Sequence, residues 1–376
     1  MTDPGLDRLR GTALPKRHTA RTISALAANP GCARRALMDA SGADKEKIAA
    51  RTGYPGPFGQ SEFAIARGNA FEARIKDEGG AQALALLRAH LGLSITEAGY
   101  TDLNDEGAGD SHERRYLRTK RLLTSAGASD NTMFDHPLLR LDAGGRHAYL
   151  EPDLVAFQVS GQYHVVEIKS FSVIDGQAEA EKVAAAAIQS AVYVLALRDM
   201  LGDEERVHHE TVLICPENFS NQPVAVSLDV RKQLTVLKRQ LSRLSRIDEL
   251  LELYPDDLTF DLDPDPGTGL DRRPEEDLRK AVLTVDANYA PECLATCDLC
   301  YLCRDEARGT TGALGKQVRE DVGGVEDVAS VLRLARGAEP PPEREEAASQ
   351  LRKAARLRAA ITGEAITGEA ITEEPA

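Results

Sequence analysis

Cysteine is scarce in this chain, six in 376 residues, which excludes the dense disulfide framework of a small secreted scaffold. Long apolar runs are missing too. The longest uninterrupted one, residues 191–197, falls far short of the ~18 residues a membrane-spanning helix needs, so no membrane partner is expected. Residues 1–11 lack the apolar stretch of a signal peptide, and the expected compartment is the reducing cytoplasm. Basic charge is in deficit: Lys plus Arg is 46 against 60 Asp plus Glu, a net charge of -14. That excludes a protein that coats nucleic acid by bulk attraction, so any such contact must be local.

What is present points to a folded protein. At 42% hydrophobic and 28% charged residues, the chain can build a sizeable core, and one large α/β unit with appended segments suits its length. Residues 1–76 hold 13 basic against 7 acidic side chains, a basic segment inside an acidic protein. Residues 61–91 read as helix interrupted at Gly79 and Gly80. The basic cluster Arg114, Arg115, Arg118, Lys120 and Arg121 reads equally well as a solvated face or a phosphate-contacting one.

Two β-rich runs joined at Gly161 within residues 146–171 predict adjacent antiparallel strands. Residues 177–201 follow as an Ala-rich helix apolar on most of its circumference, then 211–215 and 224–230 as strands. Residues 231–253 have helical Leu/Ile/Val spacing with a basic face, and 254–276, crowded with Asp and Pro, predict a long loop. The chain ends in a repeated Ile-Thr-Gly-Glu-Ala, a low-complexity pattern that predicts disorder.

The chemistry concentrates in Glu151-Pro152-Asp153 and Glu167-Ile168-Lys169. In a strand, residues i and i+2 share a face, so Glu167 and Lys169 project together and Ile168 points away. Asp153 arrives from the preceding strand. Two carboxylates on one sheet surface repel unless a cation sits between them. A hard divalent ion such as Mg²⁺ or Mn²⁺ suits them, because it accepts one or two carboxylates and keeps waters. Lys169 beside such an ion suits metal-assisted phosphodiester hydrolysis.

These residues resemble the PD-(D/E)xK nuclease superfamily, whose motif reads Asp, a variable gap, then Asp or Glu, any residue, and Lys. Two further motifs are similar to its RecB-like branch. Arg67-Gly68-Asn69-Ala70-Phe71-Glu72 resembles the upstream Gly followed four residues on by His or Glu, which implies Glu72 as a further metal ligand. Gln189-Ser190-Ala191-Val192-Tyr193 matches Gln-x-x-x-Tyr, which implies that Gln189 and Tyr193 lie along the active-site cleft. The resemblance implies a restriction-endonuclease-like mixed β-sheet flanked by helices, with a C-terminal cysteine-rich element.

The cysteines extend the likeness to the iron-sulfur (four-cysteine) CRISPR-associated and AddB-type exonucleases, which hold a 4Fe-4S cluster with one N-terminal and three C-terminal cysteines. Cys32 precedes Ala33-Arg34-Arg35, similar to the N-terminal Cys-x-Arg-Arg element, and Cys293, Cys297, Cys300 and Cys303 lie at the far end. Four of these five are the implied ligands, with Cys293 and Cys300 both open as one of them. A rival reading has the last four bind one zinc with Cys32 free; its cysteine pairs lack the usual longer separating loop. Cys215, at the end of an apolar strand, reads as a buried structural thiol.

The expected organisation is an N-terminal tail over 1–19, the nuclease domain over 20–309 including the cysteines, and a helical or disordered tail over 310–376. The implied activity is exonucleolytic degradation of DNA, single-stranded or from duplex ends, in repair or defence. No Gly-x4-Gly-Lys-Ser/Thr loop occurs, so unwinding would need a separate helicase. The alternative is a non-catalytic DNA-binding or scaffold subunit that keeps the nuclease fold. His147 and His164 flank the carboxylate strands without an assigned role, and His208 and His209 would face opposite sides if a strand began there.

Overall fold

The computed structural model describes residues 4–29, 31–56, 62–104, 110–126, 131–144, 146–159, 161–218, 220 and 222–363. Its strands are β1 (Gly99–Asp102), β2 (Thr132–Asp135), β3 (Leu139–Ala143), β4 (Arg146–Leu150), β5 (Leu154–Val159), β6 (Gln162–Ile168), β7 (Glu210–Pro216) and β8 (Pro223–Asp229). A mixed sheet runs in the order β1-β2-β5-β6-β7-β8, while β3 and β4 pair apart from it. The β1/β2 and β6/β7 pairs are parallel; β2/β5, β5/β6 and β7/β8 are antiparallel. With helices on both faces and the cysteines gathered near the C-terminal end, this is the expected mixed α/β class.

The alternation of side chains along the strands decides what each face buries. Leu154, Ala156, Val166, Ile168, Val212 and Ile214 point to one side, where Phe71, Ile75, Ala83 and Leu87 of the helix Glu62–Leu91 cover them. Fully burying an aliphatic or aromatic side chain contributes about 1.5–3 kcal/mol. Val155 and Val165 point the other way, into the larger core with Val192, Tyr193 and Leu197 of the helix Ala180–Leu201. That helix is long and apolar enough to cross a membrane, yet most of it is buried inside the protein. The faces follow from the register, which pairs Leu154 with Val166 and Val155 with Val165.

The helix Glu62–Leu91 breaks where the glycines predict, with non-helical backbone from Asp77 to Gly80. Gly80 has φ +75°, and a Cβ there would stand 2.8 Å from the Tyr100 ring. Glycine lets the helix turn back tightly over β1.

The 231–253 helix is shorter than its spacing predicts. It divides into Arg231–Leu244 and Ile247–Leu251. Ser245 Oγ donates to the Ser242 carbonyl at 2.8 Å, and such local bonds compete with the helical ladder. In the expected N-terminal tail, the helix Pro4–Arg10 buries Leu6 and Leu9. In the C-terminal tail, Ala348 and Leu351 of the helix Glu345–Thr362 pack on Val325, Val331 and Leu334. The terminal repeat starts inside this helix, with Ile361 and Thr362 as the helix's last residues where disorder is expected, and its remainder over 364–376 lies outside the described residues.

Candidate active site and cysteine centre

One end of the sheet collects the polar side chains. β2 ends at Asp135, β5 starts one residue after Asp153, and β6 ends at Ile168, one residue before Lys169. Lys169 Nζ stands 2.6 Å from Glu167 Oε2 and 3.8 Å from Asp153 Oδ2, so both carboxylates meet at one ammonium. The Ile168 backbone N–H donates to Asp153 Oδ2 at 2.7 Å, tying that side chain to the end of β6. Glu167 is fully buried, and its Oε1 has no hydrogen-bond partner among the described residues.

The electrostatics match the crowding. Burial, then the charge of Asp153, push Glu167 up to about 7 against the pull of Lys169. Burial also raises Asp153, opposed by Lys169 and the Ile168 N–H. Burial pulls the Lys169 ammonium down, but Glu167 and Asp153 outweigh it and hold the group above the ordinary lysine range. A single lysine thus under-compensates two carboxylates, one fully buried and one partly open to solvent, a condition under which a further cation is favoured.

Glu72 comes from the covering helix and lies beside this pair in a neighbouring ion network. Its Oε1 meets Lys76 Nζ at 2.5 Å and His136 Nε2 at 3.3 Å. The His136 hydrogen bond, with Lys76, holds the Glu72 carboxyl down to about 2. Lys76 also reaches Asp135 at 2.6 Å, and His136 Nδ1 reaches Asp135 at 2.9 Å. Among the described residues, Asp102, Asp135 and His136 form a group whose ligand atoms all lie within 4.8 Å of one another; Glu72, Asp153 and Glu167 do not form such a trio. Behind them, Gln189 Nε2 donates to the Tyr193 hydroxyl at 2.8 Å. Tyr193 is buried; burial, then the charge of Glu167, raise its phenol well above the ordinary range.

The cysteines lie in a second place, where the segment around Cys32 meets residues 293–303. Cys293, Cys297, Cys300 and Cys303 are buried and Cys32 half-buried. Asn29 Nδ2 donates to Cys293 Sγ at 3.0 Å, and Arg34 Nη1 to Cys303 Sγ at 3.1 Å. Arg34, almost wholly buried, grips Glu306 with two bonds of 2.7 and 3.1 Å. Arg35 pairs with Asp39 and donates to the Thr296 carbonyl at 3.2 Å. Burial pushes the Cys300 thiol up to about 11 and that of Cys303 to about 12, the latter against the pull of Arg34. Such thiols ionise when a metal cation supplies the compensating charge.

No protein-family model and no curated protein matches the chain. Solved structures that match it include two at low similarity. The crystal structure of a "Putative exonuclease" from Eubacterium rectale is 13% identical and covers 63% of this chain and 82% of its own, with a TM-score of 0.32. The crystal structure of SSO0001 is also 13% identical, over 56% of this chain and 84% of its own, with a TM-score of 0.21. What the site can do is read from its own side chains.

Asp153, Glu167 and Lys169 thus stand together, Tyr193 and Gln189 adjoin them, and Glu72 borders them through Lys76 and His136. Sequence reasoning missed Lys76, Asp135 and His136. An Asp-His pair closing a strand, and a Lys one helical turn after Glu72, were the available signals. The cluster from Arg114 to Arg121 is partly neutralised: Arg115 meets Glu151 at 2.5 Å, and Arg118 meets Asp110 at 2.8 Å. His147 pairs with Asp142 on the β3/β4 hairpin. His208 and His209 precede β7 and stack on each other at 4.7 Å instead of facing opposite sides; the buried His164 stacks on His208. Cys215 is buried as expected, with its thiol raised to about 12 by burial.

Proposed function

We propose that this protein is a divalent-metal-dependent deoxyribonuclease, an exonuclease acting on single strands or duplex ends. The observation that carries the reading is the convergence of Asp153 and Glu167 on the single ammonium of Lys169, with a buried Glu167 oxygen left without a partner. An all-oxygen donor pair of this kind fits Mg²⁺ or Mn²⁺, held by Asp153 and Glu167 with Glu72 as a further ligand. The bound cation supplies Lewis acidity toward a phosphodiester and acidifies a water for attack.

The protein's own groups supply positioning and charge. The Ile168 N–H and the end of β6 fix Asp153, and full burial together with Lys169 holds Glu167. Lys169 offers a cation to the charge that builds on the phosphorus-bound oxygens. Tyr193, bonded to Gln189, closes the inner wall of the site next to Glu167.

Four of the five cysteines Cys32, Cys293, Cys297, Cys300 and Cys303 are proposed to hold a 4Fe-4S cluster that staples the N-terminal helices to the C-terminal segment. Their spacing supports this over zinc. The four C-terminal cysteines lack the longer loop that separates the two pairs of a compact zinc site, and a zinc held by those four would leave out Cys32, whose charge is felt at both Cys293 and Cys303.

Anaerobically purified protein should degrade end-labelled DNA in Mn²⁺, and Lys169→Ala should lower the rate at least a hundredfold with DNA binding retained. Equal rates for the two proteins would refute the assignment.

A further inference from the structure

Next to the carboxylates lies a cleft of about 240 Å³ that the proposed chemistry leaves unused. Arg67, Phe71, Arg74, Ser170, Ser172 and Pro216 line it, and no carboxylate does. In a chain of net charge -14, a cleft with two arginines and no acid selects an anion. Arg67 and Arg74 are seven residues apart, two helical turns, so both guanidinium groups leave the same face of the helix Glu62–Leu91. Arg67 Nη2 donates to the Ser170 carbonyl at 2.8 Å, which fixes the arginine one residue beyond Lys169. The Arg74 side chain has no hydrogen bond or ion pair among the described residues. Glu72 does not cancel this charge, because Lys76 and His136 already hold its carboxylate.

We propose that this cleft is a phosphate subsite: Arg67 and Arg74, helped by the Ser170 and Ser172 hydroxyls, bind a phosphate of the DNA strand beside the one being cut. The inference rests on the nuclease reading for its substrate. A guanidinium fork matches phosphate oxygens with two parallel charge-assisted bonds. Arg67 and Arg74 are positioning residues, whose loss weakens the hold on the strand more than the chemical step.

The test is binding of a fluorescent single-stranded oligonucleotide without divalent metal, so that cleavage plays no part. Wild type is compared with Arg67→Gln, Arg74→Gln and the double variant, with Arg74→Lys as the conservative control. Each Gln substitution should weaken binding about tenfold, with Arg74→Lys in between. Each should also flatten the slope of log affinity against log salt by about 0.7. In Mn²⁺, KM should rise while kcat stays within about threefold. Oligonucleotides with a 5′-phosphate and a 5′-hydroxyl separate the sources: a loss confined to the first means an end phosphate, an equal loss means an internal one, and both support the subsite.

Unchanged affinity and salt slope in the folded Gln variants would overturn it. The two readings fail separately. Cleavage with arginine-independent binding and KM removes the subsite and leaves the nuclease; arginine-dependent binding with no cleavage in any metal does the reverse. Should the double variant not fold, the single variants and Arg74→Lys decide.

Discussion

Lys169→Met removes the ammonium from between two carboxylates while keeping most of the side chain's length. Lys169 Nζ lies 2.6 Å from Glu167, which is fully buried, and 3.8 Å from Asp153. Removing one partner of a buried ion pair costs about 3–5 kcal/mol, because the other charge stays buried and uncompensated. Against a typical total stability of about 5–15 kcal/mol, that is a large fraction. The dependence on pH has a definite sign. Burial and Asp153 hold Glu167 at about 7 in the folded protein, above its ordinary 4.5. A raised carboxyl costs stability as pH climbs from the unfolded to the folded value. Losing Lys169 raises Glu167 further, so the deficit should be smallest near pH 5 and largest near pH 8. Mn²⁺ should return about 2.7 kcal/mol at a hundredfold excess over its dissociation constant. Urea unfolding of wild type and variant at both pH values, with and without Mn²⁺, measures all of this. A loss under about 1 kcal/mol, or one indifferent to both pH and Mn²⁺, would refute the reasoning.

Other expectations concern regions away from the carboxylates. His18 and His164 are buried and held near 4, chiefly by burial. Their folded values lie below the unfolded ones, so stability should be full above pH 6.5 and fall toward pH 4, by about 2–3 kcal/mol per histidine. Thermal unfolding of His164→Phe should show a shallower acid decline than wild type; an identical decline counts against the assignment. Anaerobic protein should contain iron and sulfide, which Cys297→Ser should reduce at least severalfold and Cys215→Ser should leave intact; stoichiometric zinc without iron would remove the cluster. Arg34→Met should destabilise by about 1–3 kcal/mol, since it takes the buried donor from the Val285 carbonyl and the Cys303 sulfur; denaturant midpoints check this.

The parts of the site that could be read from the sequence obey short-range rules. Glu167 and Lys169 share a face because side chains alternate along β6, and Ile168 joins the opposite face for the same reason. The glycine break at 79–80 and the antiparallel β5/β6 pair were equally local. Lys76, Asp135 and His136 were not readable, because their meaning comes from a helix, a strand end and a crossover that bring residues about 60 apart to one point. The basic cluster after Arg114 was open to two readings until its partners Asp110 and Glu151 were seen. Helix length after Arg231 was overestimated, since periodicity alone does not register a break that keeps Leu244 and Ile247 both buried.

Asp153 and Glu167 are proposed to share one divalent cation. Anomalous diffraction from crystals soaked in Mn²⁺ tests it directly. The strongest peak should lie within about 2.5 Å of an oxygen of each carboxylate, and should vanish in Glu167→Gln. A peak at Asp102, Asp135 and His136 instead, or no ordered Mn²⁺ near Asp153 and Glu167, would contradict it.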